Sequence, residues 1–133
     1  MPVSTNSNAA GTTENVSAGR AVGYTAGNGG AVTQLTSKAT GVTLNTICGT
    51  ITTDDASLAA AAEVTFTVTN SKVVAVTDVV NVSLQATTTG TPLVWVSDVS
   101  VGSFDITIAN LHASTADTSA DPINFVIVPS VAA

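Results

Sequence analysis

The sequence predicts an all-β fold: an antiparallel β-sandwich with a jelly-roll or Greek-key-like path and an extended N-terminal arm. Apolar and polar residues alternate strictly over residues 63–70 and again over 102–108. Because successive side chains of a strand point to opposite faces, each stretch is expected to form a strand with one face in a core and the other in water. Thr, Val, Ala and Ser dominate the composition, which favours strands and turns over helices.

The alternation also assigns a face to each side chain of these two strands. The residues expected to face the core are Val64, Phe66, Val68, Phe104, Ile106 and Ile108. Those expected to point to water are Thr65, Thr67, Ser103, Asp105 and Thr107. Because a sheet with one apolar face needs a partner layer, the pattern predicts a second sheet that covers it.

Residues 1–30 differ in kind from the domain predicted at 31–133. They contain no Leu, Ile, Phe or Trp, and Gly and Asn are spread among Ser, Thr and Ala. Such a composition cannot bury enough apolar area to offset its ordering entropy, so the segment is predicted to be a mobile arm. Arg20, Val22 and Tyr24 are its candidate anchors on a partner, and Tyr24 is its only aromatic side chain. The alternative is a disordered leader without a binding role.

Further strands are expected between the turn residues of the remaining chain. Residues 54–63 are the one place where helix formers accumulate, and we interpret them as a crossover into the Val64 strand. Residues 73–84 are apolar on both faces for much of their length, which predicts a strand or strand pair between layers. The other predicted strands are 32–36, 42–45, 47–53, 93–97 and 123–128. Trp95 is expected in the core, although a sugar-binding platform is the alternative.

Charge and hydropathy exclude several classes of partner. Arg20, Lys38 and Lys72 are the only basic residues, and the net charge is −6, so nucleic acid is not an expected partner. The N-terminus lacks the pattern of a signal peptide and no apolar run reaches the ~18 residues of a membrane span, which predicts a soluble protein made in a cytoplasm. Only 9% of residues are charged while 44% are hydrophobic, so other copies are expected to cover part of the surface, as in a homo-oligomer.

The residue types that catalysis requires are scarce. His112 is the only histidine, and no nucleophile motif surrounds any Ser or Cys, so we expect no enzyme activity and no catalytic residue. A zinc site needs several His or Cys ligands, whereas Cys48 and His112 are the single residues of their kinds. Cys48 is therefore predicted to be a buried structural thiol.

Calcium is the metal that the sequence excludes least firmly. Asp117 and Asp121 lie in one polar loop, and Asp54 and Asp55 lie in another. Their order does not match the calcium loop of an EF-hand, so no metal and no cofactor are predicted.

Several stretches resemble a domain common in virion proteins of tailed bacteriophages. In the first half they are TGVTLN (40–45), CGTIT (48–52), LAA (58–60) and VTFTVTNS (64–71). In the second half they are DVV (78–80), GSF (102–104), IANL (108–111) and INFVI (123–127). The resemblance covers about the last hundred residues and leaves residues 1–30 uncovered.

This resemblance implies a structural protein of the virion. Its members are similar to head decoration, or cement, proteins, which bind the major capsid protein on the outer surface of the head shell and stabilise it. A head-fibre or tail-spike module is the alternative, with the arm on the particle and the sandwich facing the host. A hydrolase or sugar-binding domain is a third hypothesis from a different class.

Overall fold

The computed structural model describes Tyr24 and residues 26–130. This part of the chain contains eight strands and no helix, which confirms the all-β prediction. The strands are β1 (Gly29–Thr33), β2 (Val42–Thr43), β3 (Cys48–Thr52), β4 (Glu63–Thr69), β5 (Val79–Leu84), β6 (Pro92–Ser100), β7 (Ser103–Asn110) and β8 (Pro122–Val128).

The strands form two four-stranded sheets, with the orders β1-β3-β8-β5 and β2-β4-β7-β6. Within each sheet one pair is parallel, β1 with β3 and β2 with β4, and the remaining pairs are antiparallel. The prediction of a purely antiparallel sandwich is therefore wrong for these two pairs. The physical reason is the path of the chain, which alternates between the sheets. β1 and β3, and likewise β2 and β4, therefore run in the same direction and pair side by side.

Every connection except the β6–β7 turn crosses from one sheet to the other. The strand directions place the connections 34–41, 53–62, 85–91 and 111–121 at one end, which we call the four-loop end. The connections 44–47, 70–78 and 101–102 lie at the opposite, three-loop end, where β1 begins and β8 finishes. The loops of each end are therefore brought together from distant parts of the sequence.

One apolar core lies between the two sheets. Its fully buried side chains come from both, and the predicted inward residues Phe66, Val68, Phe104, Ile106 and Ile108 are among them, while Val64 is half-buried. The sheets supply one ring each to a contact between Phe104 of β7 and Phe125 of β8, with centroids 5.4 Å apart and planes tilted by 51°. The shared core is consistent with the predicted sandwich, and it confirms the inward faces of β4 and β7.

Glycine permits the close approach of β1 to β3. Gly30 and Gly49 are register partners in this parallel pair. A Cβ atom on Gly49 would lie 2.6 Å from the backbone oxygen of Gly30, and one on Gly30 would lie 2.8 Å from a methyl of Leu44. Any larger residue at position 49 would therefore push the edge strand away from the sheet.

Two side chains of the second sheet do not lie where the sequence predicts. Val94 and Val96 pair with the inward residues of β7, so Trp95 between them shares the outer face with Thr107. The prediction of Trp95 as a core residue is wrong, because strand parity outweighs its apolar character. Thr107 is buried on that outer face instead of exposed, and its hydroxyl lies 2.7 Å from that of Thr65 and donates to Ser97 at 2.8 Å.

The stretch 73–78 is a loop, so the prediction of one continuous strand or strand pair over 73–84 is wrong in its first half. The buried carboxylate of Asp78 accepts hydrogen bonds from the backbone N–H groups of Val74 at 2.9 Å and Ala75 at 3.1 Å. It also accepts one from Ser130 N–H at 3.2 Å. These bonds, that from Val74 first, lower the pKa of Asp78 although burial opposes them. The carboxylate thus stabilises a turn that apolar periodicity does not reveal.

Candidate functional site

Of the three predicted arm residues, Arg20 and Val22 lie outside the described residues. Tyr24 lies against β8 of its own chain, where its hydroxyl donates to the carbonyl of Ile127. The N–H of Ile127 donates to Ile47 at 2.8 Å, so this carbonyl faces the β3 side just before β3 begins. Tyr24 therefore completes the hydrogen bonding of β8 at the three-loop end, while its side chain stays 40% exposed.

Exposed valines gather at the same end of the molecule. They are Val74 and Val76 of the 70–78 connection, Val79 at the start of β5, Val101 of the β6–β7 turn and Val128 at the end of β8. Val79 and Val128 are register partners. The N–H of Gly102 donates to Val73 at 2.9 Å, which brings the β6–β7 turn beside the 70–78 connection. We call these five valines the valine surface.

The valine surface has the character of a contact site. Val74, Val76 and Val101 are each about two-thirds exposed, at 66%, 65% and 68%. Single exposed apolar residues are ordinary, whereas several gathered at one end of a small domain are typical of an interaction site. Lys72 is the only basic residue among the described residues of this end, so the exposed side chains here are mainly apolar.

A second cluster lies at the four-loop end and is buried and ionic. The ammonium nitrogen of Lys38 lies 3.4 Å from Oδ2 of Asp117 and 3.8 Å from Oδ2 of Asp121. The side chains are 3%, 0% and 2% exposed, in that order. We call these three residues the Lys38 cluster. Asp117 and Asp121, which the sequence offered as calcium ligands, are indeed brought together, and the cation between them is the ammonium of Lys38.

Backbone and hydroxyl oxygens complete the surroundings of Lys38. Its Nζ donates to the hydroxyl of Thr53 at 3.3 Å, to the backbone oxygen of Asp54 at 2.9 Å and to that of Ser119. The hydroxyl oxygen of Ser119 in turn accepts from the N–H groups of Thr88 at 3.0 Å and Thr89 at 2.9 Å. The cluster therefore ties together all four connections of this end.

Three carboxylate oxygens of the Lys38 cluster have no hydrogen-bond partner among the described residues: Oδ2 of Asp117 and both oxygens of Asp121. Burial, followed by the charge of Asp117, raises the pKa of Asp121 to about 6, although Lys38 acts in the opposite direction. A proton on Asp121 allows it to donate a hydrogen bond to Asp117. One shared proton therefore gives a partner to two carboxyl groups that otherwise repel each other.

The remaining candidates are not combined into a reactive group. Nδ1 of His112 accepts from the N–H groups of Ser114 at 3.1 Å and Thr115 at 2.8 Å, so the imidazole closes a local turn. Cys48 is a half-buried free thiol at the start of β3. Within the described chain no group of three or more His, Cys, Asp or Glu side chains has a metal-binding arrangement. The same residues include no helix with the length and hydropathy of a membrane span.

Sequence reasoning missed the role of Lys38. Its neighbours in the chain are Ser37 and Ala39, and no local motif marks it for burial. The one available signal was the small number of basic residues. A chain with three of them and nine acidic residues has few cations that can pair with a buried carboxylate.

Comparison with known proteins does not assign the chain to a family. A scan against family models, a search of curated proteins and a search of solved structures find no match to the chain.

Proposed function

We propose that this chain is a capsid decoration, or cement, protein of a tailed bacteriophage. It binds the major capsid protein on the outer surface of the head shell and stabilises the shell. The observation that carries the proposal is the valine surface, which lies beside Tyr24 at the end where the chain enters the sandwich. The resemblance of residues 40–71 and 78–127 to virion domains supplies the identity of the partner.

In this proposal the N-terminal arm and the valine surface act together. Residues 1–23 precede Tyr24, which is held at the three-loop end beside Val128. An arm that leaves from this end can follow the capsid surface while the valines pack against it. An arm of this kind adds main-chain contacts, and apolar burial supplies most of the favourable energy.

Stabilisation of the shell then follows from mass action. A protein that binds only the assembled shell shifts the equilibrium toward assembly by its binding free energy. Many copies, each contacting adjacent capsid subunits, add their contributions across the head. Neither step requires a catalytic residue or a cofactor.

A truncation separates the arm from the sandwich. We expect a chain that lacks residues 1–23 to fold normally, because Tyr24 and every described strand remain, and to lose most of its binding to isolated heads that lack decoration. Circular dichroism checks the fold, and sedimentation with heads followed by gel densitometry measures occupancy. Unchanged occupancy would show that the arm is a passive leader.

Substitution of the valine surface tests the second contact. Val76→Asp is expected to reduce head binding at least about tenfold, since roughly 1.4 kcal/mol of lost apolar burial corresponds to that factor. The matched control is Leu35→Asp, because Leu35 is 73% exposed but lies at the four-loop end. Equal losses for the two variants, or binding of the wild-type chain to host cells instead of heads, would favour the fibre or spike alternative.

We also propose that the purified chain is a homo-oligomer. Low charge and exposed apolar residues favour association with other copies over a free monomer. Light scattering at micromolar concentrations is expected to give a mass that is a multiple of that of the chain. A monomer at every concentration would contradict this and leave the capsid as the sole apolar partner.

A further inference from the structure

The Lys38 cluster has more acceptors than its ammonium can satisfy. Five oxygen atoms surround Nζ, from Thr53, Asp54, Ser119, Asp117 and Asp121. An ammonium has three hydrogens, and the first three oxygens take them all. The carboxylates are thus in contact with the nitrogen but receive no hydrogen bond from it. A buried ion pair that serves stability alone usually has its hydrogen bonds completed.

We propose that Lys38 and Asp117 form an intramolecular isopeptide bond, with Asp121 as the proton carrier. The reaction joins Nζ of Lys38 to the side-chain carbonyl carbon of Asp117 and breaks one C–O bond of that carboxyl group. An ammonium and a carboxylate become one amide and one water molecule, so atoms and charge balance without any further reactant. The proposal does not depend on the capsid-binding function.

Distance favours this pair of residues. Nζ lies 3.4 Å from Oδ2 of Asp117, so the carbon bonded to that oxygen is at most one C–O bond farther away. Groups whose reacting atoms are held within ~3–3.5 Å react as if at very high concentration, and this contact leaves the carbon within one C–O bond length of that range. Asp121 is farther from Nζ, at 3.8 Å, which suits a group that transfers protons and does not join the bond.

Burial favours the uncharged forms that the reaction needs. Transfer of one proton within the ion pair converts Lys38 into an amine with a free lone pair and Asp117 into a neutral acid. In a site that is almost fully buried, removal of charge offsets part of the desolvation cost of the ion pair. Water is also excluded, which opposes hydrolysis of the amide once formed.

Asp121 has the properties of a proton carrier. Its pKa of about 6 lets it hold or release a proton near neutral pH, and a hydrogen bond with Asp117 puts that proton beside the reacting carboxyl group. It first gives its proton to the carbonyl oxygen of Asp117 as Nζ attacks. It then takes one proton from the nitrogen and passes it to one of the two hydroxyl groups, which departs as water. As the carbonyl re-forms, Asp121 takes back the proton of the remaining hydroxyl group. Asp121 ends the reaction in the state in which it began.

Mass spectrometry of the denatured full-length chain tests the bond directly. The wild-type chain is expected to have the mass of its sequence minus one water molecule. Trypsin needs a free lysine side chain, and Arg20, Lys38 and Lys72 are its only sites. The linked chain should therefore yield fragment 21–72 joined to 73–133, and the unlinked chain should yield 21–38 and 39–72 separately.

Three outcomes would overturn the proposal. The first is a wild-type chain with the β spectrum of a folded protein and its full sequence mass. The second is a water loss that persists in Lys38→Met, since an aspartate can also lose water by cyclising onto its own backbone. The third is a link that fragmentation locates at Asp121 instead of Asp117. The first outcome needs no variant, so it remains decisive even if Lys38→Met fails to fold.

The role of Asp121 has its own test. Asp121→Asn keeps the shape of the side chain but cannot carry the proton, so in a time course after cell-free synthesis its linked fraction is expected to grow at least tenfold more slowly than that of the wild-type chain. Asp54→Asn is the matched control, because Asp54 contacts Nζ only through its backbone oxygen. An unchanged rate in folded Asp121→Asn would remove Asp121 from the reaction.

Discussion

Replacing Phe66 with alanine is expected to lower the free energy of unfolding by about 3–5 kcal/mol, through lost transfer energy and the cavity left behind. Phe66 lies in the middle of β4, is 2% exposed and pairs with Ile106 of β7. Its ring therefore lies in the layer between the sheets, where surrounding side chains cannot collapse without moving both. Urea unfolding followed by circular dichroism measures the loss, with the slope on urea unchanged.

Thr67→Ala is the control, one position along the same strand. Thr67 is exposed on the outer face and its hydroxyl donates to the carboxylate of Asp105 at 2.7 Å. Loss of one exposed hydrogen bond should cost about 1 kcal/mol or less. If Phe66→Ala and Thr67→Ala have equal costs, the assignment of the two faces of β4 is wrong.

Asn110→Ala is expected to lower the free energy of unfolding by about 2–4 kcal/mol, because each polar group left without a partner in a buried site costs about 1–3 kcal/mol. The amide of Asn110 is 1% exposed at the end of β7. Its oxygen accepts from the N–H groups of Thr91 at 3.0 Å and His112 at 3.1 Å. Its nitrogen donates to the carbonyls of Leu58 at 3.1 Å and Thr115 at 2.9 Å.

Asn110 thus forms hydrogen bonds with three of the four loops at its end of the sandwich. Truncation to alanine removes all of these hydrogen bonds at once. Asn81→Ala is the matched control, since Asn81 lies exposed on β5 and should change stability by no more than about 0.5 kcal/mol. Thermal unfolding measures both variants. A loss at Asn110 no larger than that at Asn81 would show that water replaces the side chain there.

The parts of the fold that follow from local pattern were predictable from the sequence. Alternation over β4 and β7 identified both strands and their buried faces, because period two is visible within a few residues. The parallel pairing of β1 with β3 was not predictable in this way, since it depends on the path between sheets. The prediction of a strand over residues 73–78 was wrong for a related reason. Asp78 closes a turn through hydrogen bonds with backbone groups, and apolar periodicity carries no information about such bonds.

The two ends of the molecule differ in how much of them the sequence revealed. Tyr24 was predicted as a candidate anchor because a single ring in a segment of small residues is conspicuous, whereas its contact with Ile127 of its own chain was not predicted. The Lys38 cluster was not predicted, because its residues and their hydrogen-bond partners meet only in the folded chain: 81 positions separate Lys38 from its acceptor Ser119. Contacts at this separation leave no local pattern in the sequence. The burial of Lys38 between distant loops can therefore be recognised only from the three-dimensional structure.

The pairing of β1 has a mechanical consequence. β1 is an edge strand that runs parallel to β3 and is held by five register pairs, from Gly29 with Cys48 to Thr33 with Thr52. A pull through Tyr24 along the strand axis loads these pairs in shear, so they resist together and do not open one after another. A pull perpendicular to the sheet would peel the same strand off pair by pair. The edge strand β1 is therefore held most firmly when tension on it lies along the strands.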